Sequence, residues 1–225
     1  SLNMGKPVMD AYTIDVPGAA NVFAWYGEAL DKVYDQVAPT AGNALATVTR
    51  EALGVVGAVV PWNFPLDMAA WKVAPALAAG NSVVLKPAEQ SPFSALRLAQ
   101  LALEAGVPEG VLNVVNGDKV AVDAILKHPD IKAVSFVGSS DIAQYVYSTG
   151  TAHGKRVQAM GGAKNHGIIM PDADMDQVVN DFLGAAFGSA GERCMALPVA
   201  VPVGQDTADE FVGRMKEKAA SLRVG

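Results

Sequence analysis

The sequence predicts an α/β fold in which a parallel sheet is covered by helices on both faces, and two patterns carry that expectation. Apolar, β-branched runs recur at Val55–Val60, Ser82–Lys86, Val111–Val115 and Ala133–Val137. Helix-length segments separate them, at Leu66–Ala79, Pro92–Ala105, Lys119–Lys127 and Asp141–Ser148. A strand that is apolar throughout, rather than alternating, is buried on both sides, and strands alternating with helices build parallel βαβ units. Right-handed crossovers follow from the twist of the strands. The composition agrees: 51% hydrophobic against 18% charged residues is enough apolar surface for a packed core and excludes a disordered chain.

Along the chain, Asp15–Val37 reads first as a helix with Val22, Trp25, Tyr26, Leu30 and Val33 on one face. Ala44–Arg50 alternates and is β-prone, so 44–53 is expected to form a hairpin arm outside the main sheet. The four strand–helix repeats come next. Their helices end where the sequence offers stops: Gly80 after Ala79, Gly106 after Ala105, and Pro129 just beyond Lys127. A fifth strand at Gly167–Met170 leads through Asp172-Ala173-Asp174 into a helix reaching Phe187. The implied organisation is a nucleotide-binding domain over 1–43 and 54–161, the arm at 44–53, and the start of a second α/β domain over 162–225.

Charge and cysteine usage narrow the function. Twenty-three acids against 17 bases give a formal charge of −6, which argues against a nucleic-acid surface. The longest apolar run, Gly54–Trp62, is too short to cross a bilayer, and no basic run suggests a membrane surface. No signal peptide is visible at the start. The single cysteine, Cys194, is expected to be reduced, so the expected location is the cytoplasm, or the mitochondrial matrix in a eukaryote.

The chemistry sits at the ends of the expected strands. No G-x-G-x-x-G turn follows any of them. Instead Val59-Val60-Pro61-Trp62-Asn63-Phe64-Pro65 ends the first and Val83-Val84-Leu85-Lys86-Pro87-Ala88-Glu89-Gln90-Ser91-Pro92 the second. Phe136-Val137-Gly138-Ser139-Ser140 ends the fourth, and Gly188-Ser189-Ala190-Gly191-Glu192-Arg193-Cys194 holds the cysteine. Read alone, Asn63 and Ser139 are ordinary helix caps, Cys194 a small buried hydrophobe, and Lys86 with Glu89 a solvated strand edge.

Taken together, in this order and spacing, the four motifs resemble the aldehyde dehydrogenase superfamily, and the resemblance spans the whole chain. It implies a nucleophile at Cys194 and an oxyanion donor at Asn63. Lys86 and Glu89 would hold the adenosine ribose, with the carboxylate favouring NAD over a 2′-phosphorylated cofactor. Gly138 and Ser139 would meet the pyrophosphate at a helix N-terminus. Val60, Trp62, Gln90 and Gly161 complete the implied NAD-binding set, Arg193 could pair with a substrate carboxylate, and no metal is implied. Hydrolytic members carry Glu-Leu-Gly-Gly-Lys where an ungapped count places Met160, and methionine cannot act as a base.

Residues 117–225 resemble methylmalonate-semialdehyde dehydrogenase, which lacks that Glu and passes its acyl group to coenzyme A. Residues 1–116 resemble hydrolytic enzymes acting on amino- and betaine-type aldehydes. The arginine that the acylating family places in the early helix is absent near Val16-Pro17-Gly18. Two activities therefore stand: transfer of the acyl group to CoA, or hydrolysis to the free acid. A non-catalytic nucleotide-binding or oligomerising fragment is the alternative from another class. The resemblance further implies a small-molecule aldehyde substrate and a homodimer or homotetramer at full length. It also implies a partial-length chain that lacks the later Glu-x-x-Phe-Gly-Pro segment, so the chain by itself is expected not to sustain turnover.

Overall fold

The computed structural model describes residues 1–223, which divide into two compact units, 1–161 and 162 onward. In the first, five strands form one parallel sheet in the order β5-β4-β3-β6-β7: β3 (Val55–Val59), β4 (Ser82–Lys86), β5 (Leu112–Val114), β6 (Ile131–Val137) and β7 (Arg156–Met160). The chain winds outward from β3 through β4 to β5, then returns to the other side of β3. With crossovers of one hand, that reversal puts the helices on opposite faces. Helices α3 (Pro65–Ala78) and α4 (Phe93–Glu104) lie on one side. There Ala58, Val60, Val83 and Leu85 pack against Met68, Ala69, Val73 and Ala95. Helices α5 (Lys119–Lys127) and α6 (Ser140–Ala152) lie on the other, where Val59, Val134 and Phe136 pack against Ile125, Leu126, Ala143 and Val146. The alternation of Ala58 and Val60 with Val59 between the two clusters is the period-two rule at work in a strand buried on both sides.

Two polar side chains fix the sheet's lower edge. Asn81 accepts from the N–H groups of Leu53 and Gly54 and donates to the Ala76 carbonyl, tying the entry of β3 to the end of α3. Lys155 is buried, and its Nζ donates to the Ile131 and His128 carbonyls, the former at 2.6 Å, so the ammonium closes the end of α5. Burial pushes its pKa down.

The N-terminal helical region departs from the sequence reading. It begins at α1 (Val8–Asp10), widens into a π turn over Ala11–Asp15, continues as α2 (Val16–Ala29) and ends in a 3₁₀ turn at Leu30–Lys32. It therefore stops short of Val37. Gln36–Ala38 forms β1 and pairs antiparallel with β2 (Ala46–Val48), so the arm starts earlier than 44. The capture is local: the Asp35 carboxylate accepts from the Arg50 N–H, and the Arg50 guanidinium donates to the Tyr34 carbonyl. The inner face is also different. Ala19 is buried and Phe23 packs on the α3 core, whereas Trp25, Leu30 and Val33 are exposed by 62%, 58% and 57%.

β7 was not foreseen because it is an edge strand, with Arg156, Gln158 and Met160 turned to solvent between half-buried Val157 and Ala159.

In the second unit β8 (His166–Ile169) pairs parallel with β9 (Val199–Pro202) across α7 (Met175–Phe187), and α8 (Gln205–Ala220) follows. Ile169, Met175, Val179, Phe182 and Phe211 form its core, the two rings edge-on with centroids 5.3 Å apart. β9 and α8 had no counterpart in the sequence reading, and Val224 and Gly225 lie outside the described residues. No helix among the described residues is long and apolar enough to cross a membrane.

Candidate active site

In an open parallel sheet a ligand crevice forms at the carboxyl ends of the strands where the strand order reverses. Here that point lies between β3 and β6. The register aligns Val59 with both Lys86 and Phe136, and Val137 with Met160, so four strands end at one level. The Val60 N–H donates to the Lys86 carbonyl (3.1 Å), and the Gly138 N–H to the Met160 carbonyl (3.1 Å). Val60, Trp62, Asn63, Lys86, Glu89, Gln90, Gly138, Ser139, Met160 and Gly161 therefore share one edge of the sheet, although they are spread over a hundred residues of chain.

Each has its own environment. The Val60 side chain is in the core, so a ligand contact there is through its backbone. Lys86 is buried, and its Nζ lies 2.7 Å from Glu89 Oε1, which is half exposed. The hydrogen bond from Lys86 holds the Glu89 carboxyl below the usual range. Gln90 is exposed beside it. Ser139 caps α6 with an extended backbone and makes no capping hydrogen bond through its hydroxyl. A helix start of this kind offers N–H donors and a positive dipole end to an anion. The corner beside it is tight. A Cβ on Gly161 would stand 2.9 Å from Ser140 Cα, and one on Gly138 2.5 Å from the Phe136 ring. An anion-seeking helix start, a carboxylate at the neighbouring strand end, and glycines that leave room for close approach together fit a dinucleotide.

Two polar groups on the same unit were missed by sequence reasoning. Lys72 on α3 donates to Ser135 Oγ (2.6 Å), which donates to Gln158 Oε1 (2.8 Å), and burial pushes the Lys72 pKa down to about 8. Gln158 and Met160 point to one face of β7. The second group lies under the Asn63 loop. Lys6 Nζ is 2.7 Å from Asp15 Oδ2 and 3.7 Å from the centre of the Phe64 ring. Asp67, in the first turn of α3, is raised to about 6, chiefly by burial and then by the Asp15 charge. None of the charged residues in these two groups stands in a strand-end motif; a lysine or aspartate outside such a motif gives no sequence signal of its partner.

The second unit carries Cys194 and Arg193. Phe187 ends α7, and Gly188–Gly191 turns sharply, with Ser189 and Ala190 both at φ 53°. Left-handed backbone at two non-glycine residues costs about 1–2 kcal/mol each, a strain that clusters at functional loops. Asn165 holds the far side: its Nδ2 donates to the carbonyls of Cys194 (3.1 Å) and Ala196 (2.9 Å). Cys194 is exposed. The Arg193 guanidinium lies over Gly188, where a Cβ would meet Cζ at 2.7 Å, and its Nε is buried with no partner among the described residues. Asn165 went unassigned because nothing local in the sequence names the Cys194 and Ala196 carbonyls as its partners.

Comparison with known proteins places the fold and sequence in one family. A profile of the aldehyde dehydrogenase family matches residues 1–225. Malonate-semialdehyde dehydrogenase 3 of Geobacillus kaustophilus (strain HTA426) is 50% identical over all of this chain and 46% of its own length. The crystal structure of a candidate methylmalonate-semialdehyde dehydrogenase from Sinorhizobium meliloti 1021, complexed with NAD, superposes with a TM-score of 0.95. It is 49% identical, over 99% of this chain and 45% of that one. Gamma-glutamyl-gamma-aminobutyraldehyde dehydrogenase from Burkholderia cenocepacia J2315 superposes with a TM-score of 0.94. It is 44% identical, over 97% of this chain and 45% of that one. The chain thus spans just under half the length of these relatives. On the profile match over its whole length and these identities, the chain belongs to the aldehyde dehydrogenase family.

Proposed function

We propose that this chain carries the NAD platform and the nucleophile of an aldehyde dehydrogenase that oxidises a semialdehyde to a thioester on Cys194 and passes the acyl group to CoA. The observation that carries the CoA assignment is Met160. It ends β7 hydrogen-bonded to the Gly138 turn, and the ungapped count from the family motif gives it the position of the hydrolytic enzymes' carboxylate base. The two 49–50% identical relatives named above, a malonate- and a methylmalonate-semialdehyde dehydrogenase, support the same reading.

In this reading the Cys194 thiolate attacks the aldehyde carbon. The new C–S bond pushes the carbonyl electrons onto oxygen, and donating a hydrogen bond to such an oxyanion is the role the family resemblance gives the Asn63 amide. One such donor is worth about 3–4 kcal/mol. NAD, when bound, supplies the acceptor for the hydride that leaves the thiohemiacetal carbon. Lys86 and Glu89 would hold its adenosine ribose, with the start of α6 and Gly161 holding the phosphates close. The thioester left on Cys194 is then cleaved by the CoA thiolate, which regenerates the free Sγ. Arg193, beside the nucleophile in the chain, is the cation that would pair with the far carboxylate of a semialdehyde.

Hydrolysis is the second reading, favoured by the residues 1–116 motifs and the 44% identical gamma-glutamyl-gamma-aminobutyraldehyde dehydrogenase. The β1–β2 arm, with Val37 exposed by 70% and Leu45 by 79%, supports pairing between subunits of a homodimer or homotetramer. A lone thiol suits the cytoplasm. Transfer and hydrolysis part on one assay: whether NADH formation continues without CoA.

A further inference from the structure

The Lys6–Asp15–Asp67 group lies apart from the strand-end motifs, yet its parts converge on the loop that carries Asn63. Lys6 is 6% exposed and Asp67 9%, and the Asp15 side chain 14%, so a cation and a carboxylate are buried against a second carboxylate that is largely covered. The π turn at Ala11–Asp15 re-aims its last residue: Asp15 reaches Lys6 Nζ at 2.7 Å and shares a hydrogen bond with Asp67. Gly18 admits this approach, since a Cβ there would stand 3.3 Å from Asp67 Oδ1. On the other side Lys6 lies 3.7 Å above the Phe64 ring, and Phe64 follows Asn63 directly and is the N-cap of α3.

We infer that Lys6, Asp15 and Asp67 form a buried charge clamp that sets the Pro61–Phe64 loop, and that Asp67 is thereby a positioning residue for the Asn63 amide. The catalytic half of this inference rests on the reading of Asn63 as the oxyanion donor; the clamp itself does not. One ammonium cannot satisfy two carboxylates in a dry site, and burial with the neighbouring Asp15 charge raises Asp67 to about 6, where it changes charge. Lys6, which precedes α1, and Asp15, which ends the π turn, are the charged groups that act on Asp67. Apolar side chains of α4 and the sheet, Ala95, Val83 and Leu85, pack with those of α3, and Lys72 further along α3 is turned to Ser135. Protonation of Asp67 removes one negative charge beside Lys6 and frees the ammonium to redistribute between Asp15 and the Phe64 ring, so the loop moves with it.

Trp62 is the reporter, next to Asn63. In a Trp25→Phe, Trp71→Phe background, both sites being more than half exposed, Trp62 emission is followed from about pH 5 to about pH 8, bracketing the range in which a buried carboxylate titrates. The clamp predicts an emission shift with its midpoint at about 6. Asp67→Asn abolishes the shift, and Asp15→Asn moves its midpoint to lower pH, because the like charge and the shared hydrogen bond that raise Asp67 are gone. A shift that persists unchanged in Asp67→Asn, a midpoint indifferent to Asp15→Asn, or no shift in the parent overturns the clamp. Asn63→Ala separates the two claims. It leaves the Trp62 titration in place and slows thioester formation by roughly 10²- to 10³-fold; if the rate is unchanged, the role given to Asn63 is wrong and the clamp stands.

Discussion

Replacing Gly161 by alanine tests the cofactor corner through one atom. The added Cβ stands 2.9 Å from Ser140 Cα, 2.9 Å from Ser140 Oγ and 3.3 Å from Ser140 Cβ. The hydroxyl can rotate away. The backbone carbon is held in place, because Ser140 begins α6, and the end of β7 is tied to the Gly138 turn by the Met160 carbonyl. Either the helix start or the strand end must shift, and overpacking of this kind costs about 1–3 kcal/mol. If the pyrophosphate of NAD sits on the α6 start, the same displacement weakens binding by roughly 5- to 100-fold, at about 1.4 kcal/mol per factor of ten. NAD titration followed by calorimetry, with urea unfolding alongside, reads both effects. Adding Ser140→Gly rescues only part of the loss, since the clash with the main chain at position 140 remains. Gly27→Ala is the control: nothing lies within reach of its Cβ, and in the interior of α2 it gains about 0.5–1 kcal/mol with no change in NAD affinity. NAD affinity unchanged in Gly161→Ala despite a lower unfolding free energy would show that the corner is structural and the phosphate lies elsewhere.

Glu89→Gln is expected to weaken NAD binding and to narrow the preference over NADP by about tenfold, because a fixed negative charge beside the 2′ position is removed; competitive titration with the two cofactors measures it. Wild-type affinity as high for NADP as for NAD would contradict the assignment of Lys86 and Glu89. Asp67, raised from 3.8 to about 6, binds its proton more tightly folded than unfolded, so its stabilising contribution is complete below pH 3.8 and lost as pH rises through 6. Asp67→Asn is therefore expected to be more stable than the parent by about 1–3 kcal/mol above pH 6, with the difference vanishing towards pH 4, in urea unfolding at stepped pH. Met160→Glu, introduced in the full-length framework, is expected to raise the rate at which the thioester hydrolyses; an unchanged rate would place the water-activating group elsewhere, with Glu192 the nearest carboxylate in sequence to Cys194.

What the sequence made legible follows from burial. β3, β4 and β6 are buried on both faces and announced themselves as unbroken apolar runs, and the helices between them stopped at Gly80, Gly106 and Pro129 where glycine and proline forced them to. β7 did not, because an edge strand alternates and its polar residues resemble loop. The overrun of the first helix into Val37 has the same origin: Val33 and Tyr34 continue an apolar period, and only the ladder with Ala46–Val48 shows that the backbone has changed state. At the candidate site, Asn63, Lys86, Glu89 and Ser139 were legible as motif positions, and the sheet register explains why the strand ends that carry them lie at one edge. Asp67, Lys72 and Asn165 were not, since each acts through a partner dozens of residues away that no local pattern names.

The thioester route is tested most directly by single-turnover NADH release with and without CoA. The measurement is made in a chimera in which this chain replaces the matching 225 residues of the Geobacillus kaustophilus relative. With malonate semialdehyde and NAD alone, the expected result is a burst of NADH stoichiometric with Cys194 that then stalls, sustained turnover on adding CoA, and no burst in Cys194→Ser. Steady NADH formation at the same rate without CoA, or a burst that survives Cys194→Ser, would contradict it.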